Sequence, residues 1–88
     1  MHLGKVAGTV TATAKDAKLV GAKLLVTDLV DSKGKVIDPA RVAVDTCGAG
    51  VGDTVLVVGG SAARMAGGLS TVPVDLAIIA VVDRVSTA

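Results

Sequence analysis

AVDTCGAGVGDTVLVVGG, residues Ala43 to Gly60, is the stretch on which the reading of this chain turns. Gly48, Gly50 and Gly52 alternate between an apolar run that ends at Val44 and another that starts at Val55. A strand must therefore enter, turn sharply and leave, and glycine makes such a turn at little steric cost because φ > 0 is open to it. Asp45 before the turn and Asp53 after it are carboxylates set close to a glycine backbone whose free N–H groups could receive them. Two uses fit that pattern: a ligand loop and a latch between subunits. GAGVG has the spacing that opens a dinucleotide fingerprint, but that fingerprint needs a long helix starting directly from the loop. A valine-rich strand follows instead, so the turn is expected to be architectural.

Working upstream, Arg41 to Asp45 reads as the strand that enters the turn, with Asp38 and Pro39 as a break before it and Asp31 to Lys35 as a polar turn. Lys23 to Val30 is a strand apolar on both faces, with Leu24, Val26 and Val30 on one and Leu25 and Leu29 on the other. Lys15 to Gly21 reads as a connection. Leu3 to Ala14 alternates with a period of two, its even positions carrying Gly4, Val6, Gly8, Val10, Ala12 and Ala14. Two glycines on that inward face suggest a tight coil or a close approach by another part of the chain. Downstream, Thr54 to Val58 is a short strand, and Ser61 is placed to cap a helix running through Ala66 that Gly67 and Gly68 end. Leu69 to Pro73 reads as a loop, and Val74 to Val85 as a fifth strand, again apolar on both faces. The expected fold is all-β: a small five-stranded barrel with one short helix, a single domain over residues 1–88.

The totals narrow the function. In 88 residues, 51% are apolar, yet Phe, Tyr and Trp are absent, so the core must be built of Val, Ala, Leu and Ile. Nine basic residues are scattered among eight aspartates for a net charge of +1, with no basic stripe for a phosphate backbone. The longest apolar run, Leu76 to Val82, is far short of a membrane span, and the first ten residues lack the pattern of a signal peptide. A cytoplasmic protein with neither nucleic-acid nor membrane partners is expected. Cys47 is the only cysteine and His2 the only histidine, so neither a Cys/His pair nor a four-ligand zinc site can be assembled within the chain. Cys47 is read as a small buried or half-buried thiol. The aspartates at 45, 53, 75 and 83 flank strands, where they are expected to cap turns or pair with Arg41, Arg64 and Arg84. No catalytic set, metal site or cofactor is expected, and the chain is not read as an enzyme. With no helix foreseen to cover the doubly apolar strands, an exposed apolar face implies a homo-oligomer.

Three stretches together carry a resemblance: Lys15 to Leu25, reading K-x-x-x-L-x-G-x-K-L-L; Val44 to Arg64, VDTCGAGVGDTVLVVGGSAAR; and Val74 to Val85, VDLAIIAVVDRV. The chain resembles the EutN/CcmL family of bacterial-microcompartment vertex proteins over nearly its whole length. The resemblance implies an OB-like β-barrel, assembled as a homopentamer that plugs the five-fold vertices of a polyhedral shell beside hexameric shell proteins, in the bacterial cytoplasm. By the same resemblance Gly48, Ala49, Gly50 and Gly52 match the family's glycine turn, and Asp53 stands at its usual acidic position. Ser61 and Arg64 match a Ser-x-x-Arg helix start, and these seven residues are expected at a contact between subunits. Lys15, Gly21 and Lys23 match the family's early block. Two other readings remain: an OB-type nucleic-acid binder, which would want aromatic stacking platforms, and a co-chaperonin-like ring, which would want a long mobile loop.

Overall fold

The computed structural model describes residues 1–13, 15–66 and 73–87. The strands are β1 (His2–Val10), β2 (Leu24–Val30), β3 (Val36–Asp45), β4 (Thr54–Gly59) and β5 (Leu76–Val81). A 3₁₀ turn at Ala17–Leu19 links β1 to β2, and one short helix, α1 (Gly60–Arg64), follows β4. The strands close in the order β1-β2-β3-β5-β4, with β4 returning to β1. Every seam is antiparallel except the short one between β3 and β5, which pairs only Val44 with Ala77 and Asp45 with Ile78.

Alternation places one face of each strand inside. Val6, Leu25, Leu29, Val55, Val57, Leu76 and Ile78 form the barrel interior, and Ala49 of the glycine turn plugs one end at 1% exposure. With no aromatic ring to fill the space, the strands draw close instead. A Cβ on Gly4 would lie 2.7 Å from Thr27 Cγ2 and 3.2 Å from Val57 Cγ2, so only glycine fits there. Gly8 is different: it follows a bulge at Ala7, where the β1–β2 register shifts, and a Cβ there would meet only Val26 Cβ at 3.9 Å.

Four expectations are revised. β3 begins nine residues before its turn and runs through Pro39, because a bulge accommodates the proline: two residues, Pro39 and Ala40, stand opposite the single Asp28. Ala40 takes φ 57 there, and its N–H donates to Asp28 Oδ1 at 2.9 Å. β1 and β5 are shorter than their apolar patterns, since each stops where its neighbours do: Val10 pairs with Leu24, the first residue of β2. α1 has Gly59 at its N-cap with no side-chain cap, so Ser61 does not cap it. The expected end at Gly67 and Gly68 and most of the Leu69 to Pro73 loop fall outside the described residues.

The fourth revision concerns the second apolar face. Short as it is, α1 covers part of it: buried Ala63 packs with Val44, Val58 and Ala77 outside the barrel, flanked by Leu24, Val74 and Ile79. The outer aliphatic surface is therefore split, one part under α1 and the rest exposed.

Candidate functional site

The glycine turn crosses the barrel end from β3 to β4. Gly48 and Gly52 have φ of +80° and +93°, the left-handed region that requires glycine in practice, whereas Gly50 does not. The premise that all three glycines serve by positive φ thus holds for two. Gly50 sits where a Cβ would meet only Asp53 Oδ2, at 3.8 Å.

Both flanking carboxylates are used inside the chain. Asp53 Oδ2 accepts the Gly50 N–H at 2.8 Å while the Asp53 N–H donates to the Gly50 carbonyl at 3.0 Å, a closed reciprocal pair. Asp45 Oδ1 accepts the Cys47 N–H at 3.1 Å, and Lys23 Nζ lies 3.3 Å from Asp45 Oδ2. The same Nζ donates to the Ala49 carbonyl at 2.7 Å, so one lysine ties the start of β2 to both sides of the turn. Asp45 is enclosed, its side chain 2% exposed. Burial alone would raise its pKa, but the N–H groups of Cys47 and Ala49 and the Lys23 ammonium outweigh it and hold the carboxyl below its ordinary value.

The rest of the turn is fastened to the sheet. Thr46 Oγ1 donates to the Ile78 carbonyl at 2.7 Å, the Gly52 N–H to the Val6 carbonyl at 2.9 Å, and the Val6 N–H to the Asp53 carbonyl at 3.0 Å. An incoming phosphate would have to displace two carboxylates already seated on the N–H groups it needs. The turn is built as a rigid plug, not as an anion cradle.

Cys47 is exposed, which corrects the expectation of a buried thiol. Partial desolvation and the neighbouring Asp45 carboxylate push its pKa up, away from the reactive thiolate. Of the proposed Asp–Arg pairs none forms among the described residues: Arg41 pairs with Asp38 at 2.6 Å, and Asp45 with Lys23. The reason is reach, since Asp38 lies three positions from Arg41 across the bulge.

The remaining candidates lie apart from the turn. Ser61 and Arg64 are exposed on α1, and among the described residues Arg64 makes no salt bridge. Gly21 has φ +84°, a conformation that closes the link into β2, and Lys15 is exposed at the start of that link. Lys23 is thus the one member of the early block that joins the turn. Thr46, which anchors the turn to β5, was not singled out by the sequence reading; a lone threonine beside a glycine turn carries no signal of which strand it will meet.

A closed aliphatic barrel, a turn whose polar groups satisfy one another and exposed apolar surface define an architectural module made to pack against others. Residues 1–83 match the model of the family described as ethanolamine utilisation protein EutN/carboxysome, and the chain belongs to this EutN/CcmL family. It is 42% identical over 88 residues to the carboxysome shell vertex protein CcmL of Synechocystis sp., spanning all of this chain and 88% of that one. It is 41% identical to the microcompartment shell vertex protein EutN of Escherichia coli, over 97% of this chain and 90% of the relative. Among solved structures, the pentameric microcompartment shell protein GrpN from Rhodospirillum rubrum superposes with a TM-score of 0.90 at 43% identity, covering all of both chains. CcmL of Nostoc sp. superposes at 0.91 with 44% identity, over 97% of this chain and 92% of that one.

Proposed function

We propose that this chain is the vertex subunit of a bacterial microcompartment shell: a homopentamer that closes the five-fold points of a polyhedron tiled by hexameric shell proteins. The observation that carries it is the full-length likeness to relatives named as shell vertex proteins, one of them a pentamer. The geometry is consistent. Hexagonal tiles alone make flat sheets, and closure needs five-fold points, so the role is structural and not enzymatic. The shell, and this subunit with it, lies in the bacterial cytoplasm.

A five-membered ring closes only through head-to-tail contacts between two different surfaces of each copy. Gly48, Ala49, Gly50, Gly52 and Asp53 serve that contact from within, by fixing the barrel end. Ser61 and Arg64, exposed on α1, are the members of the site free to reach a neighbour, and the Arg64 guanidinium can make a bidentate contact with a carboxylate or carbonyls there.

Co-expression with hexameric shell proteins tests the role. Closed, faceted particles should form with this chain and only sheets or tubes without it; hexamers that close equally well in its absence would refute the vertex assignment.

A further inference from the structure

We infer that the irregular part of β3 is an edge guard: the bulges at Ile37 and at Pro39 with Ala40, clasped by Asp28 and by the Asp38–Arg41 pair, stop the open side of this strand from adding a strand of another chain. The inference goes beyond the vertex reading and does not depend on the number of copies in the assembly.

The need for a guard follows from the topology. β3 has ten residues, but its seam with β5 uses only Val44 and Asp45. Among the described residues, Val36 to Ala43 therefore have β2 on one side and no strand on the other. An unpaired edge of that length is a template for backbone pairing between chains. Its side chains add to the hazard, since Val36, Ile37 and Val42 are 45%, 63% and 46% exposed and all three are β-branched.

β3 gives up its regularity on this stretch alone. β2 advances one residue from Leu29 to Val30 while β3 passes from Asp38 to Val36, which leaves Ile37 as an extra residue. Just beyond, Pro39 and Ala40 together stand opposite Asp28. Two bulges thus fall within four residues, whereas Arg41 to Val44 pair one for one with Thr27 to Leu24.

The bulges also remove donors. In a regular strand alternate N–H groups would face an incoming chain. Pro39 has no N–H, and the Ala40 N–H donates to Asp28 Oδ1 at 2.9 Å, so neither of two consecutive residues has one to offer. Ala40 holds φ 57, a left-handed conformation that glycine would adopt without strain. Two clasps keep it there: the Asp28 carboxylate on one side, and Arg41 Nη1 donating to Asp38 Oδ2 at 2.6 Å across the step on the other. A bend for curvature alone would need one bulge with a glycine, and neither the proline nor the clasps.

The test compares wild type with a variant carrying Pro39→Thr and a deletion of Ala40, which puts one residue opposite Asp28 and makes the strand regular from Asp38 to Val44. Sedimentation velocity and amide hydrogen exchange read the result. The variant should form species larger than wild type that grow as concentration rises from about 10 to 100 μM. In those species the amides of Val36 to Ala43 should exchange on the order of tenfold more slowly than in wild type. Gly4→Ala, strained in the barrel interior and remote from this edge, separates edge pairing from unfolding and should not exceed the wild-type mass. If circular dichroism shows the deletion variant unfolded, Asp28→Ala combined with Pro39→Thr takes its place. A folded variant that keeps the wild-type mass would overturn the proposal and leave the bulges to curvature alone. Equal growth by Gly4→Ala, or larger species whose Val36 to Ala43 amides exchange as fast as in wild type, would overturn it as well.

Discussion

Replacing Gly4 with alanine adds one methyl group at the most crowded point of the barrel. That methyl would sit 2.7 Å from Thr27 Cγ2, 3.2 Å from Val57 Cγ2 and 3.4 Å from the Asp28 carbonyl. Neither side chain can yield cheaply: both are fully buried, and both are β-branched and stiff at χ1. Overpacking of this kind costs about 1–3 kcal/mol. Against a total of roughly 4–13 kcal/mol for a chain of this size, the loss is a large share. At about 2 kcal/mol it lowers Tm by roughly 8–16 °C. The assay is thermal unfolding of wild type, Gly4→Ala, Thr27→Ser and the double variant, all at one protomer concentration because oligomerisation shifts apparent stability. Thr27→Ser removes the Cγ2 that the new methyl strikes, so Gly4→Ala should cost less than half as much in that background. An equal cost in both backgrounds would refute the steric account of Gly4.

The glycines of the turn should separate by conformation: Gly48→Ala and Gly52→Ala should each cost about 1–2 kcal/mol, Gly50→Ala under about 1 kcal/mol, and equal losses in denaturant titrations would contradict the geometry. Asp45 has a folded pKa below its ordinary 3.8, so its contribution is complete above that value and lost as pH falls through the lower folded value. The stability gap between wild type and Asp45→Asn should therefore be constant near neutrality and shrink in acid below the ordinary value; a gap that widens in acid would reverse the sign. Arg64→Ala should leave the unfolding of an isolated subunit within about 0.5 kcal/mol of wild type while weakening the ring, read by dilution and native mass. A ring of unchanged dilution stability would remove Arg64 from the contact.

How much of this was legible differs from element to element. The period-two pattern of β1 and the valine run of β4 placed those strands, because alternation is a local property of a half-buried strand. The glycine turn was legible for the same reason, and so was the pairing of carboxylates with its N–H groups. Pro39 misled because its bulge is stabilised by Asp28, a residue eleven positions earlier on another strand. Lys23 reaches Ala49 across 26 positions, a tie that no local pattern announces. The cover that α1 gives to Val44, Val58 and Ala77 is likewise a matter of packing, and five residues of helix carry almost no periodicity to foretell it. What survives from composition is the central inference that aliphatic surface remains outside the barrel. The structure narrows it, because the part of that surface around Val44, Val58 and Ala77 lies under α1.

The native mass of the purified chain tests the account most directly. A particle of five times the 8.6 kDa chain, holding together at low micromolar concentration, is the predicted result. A stable monomer would contradict both the vertex assignment and the argument from exposed aliphatic surface, and a seven-membered ring would favour the co-chaperonin-like alternative in its place.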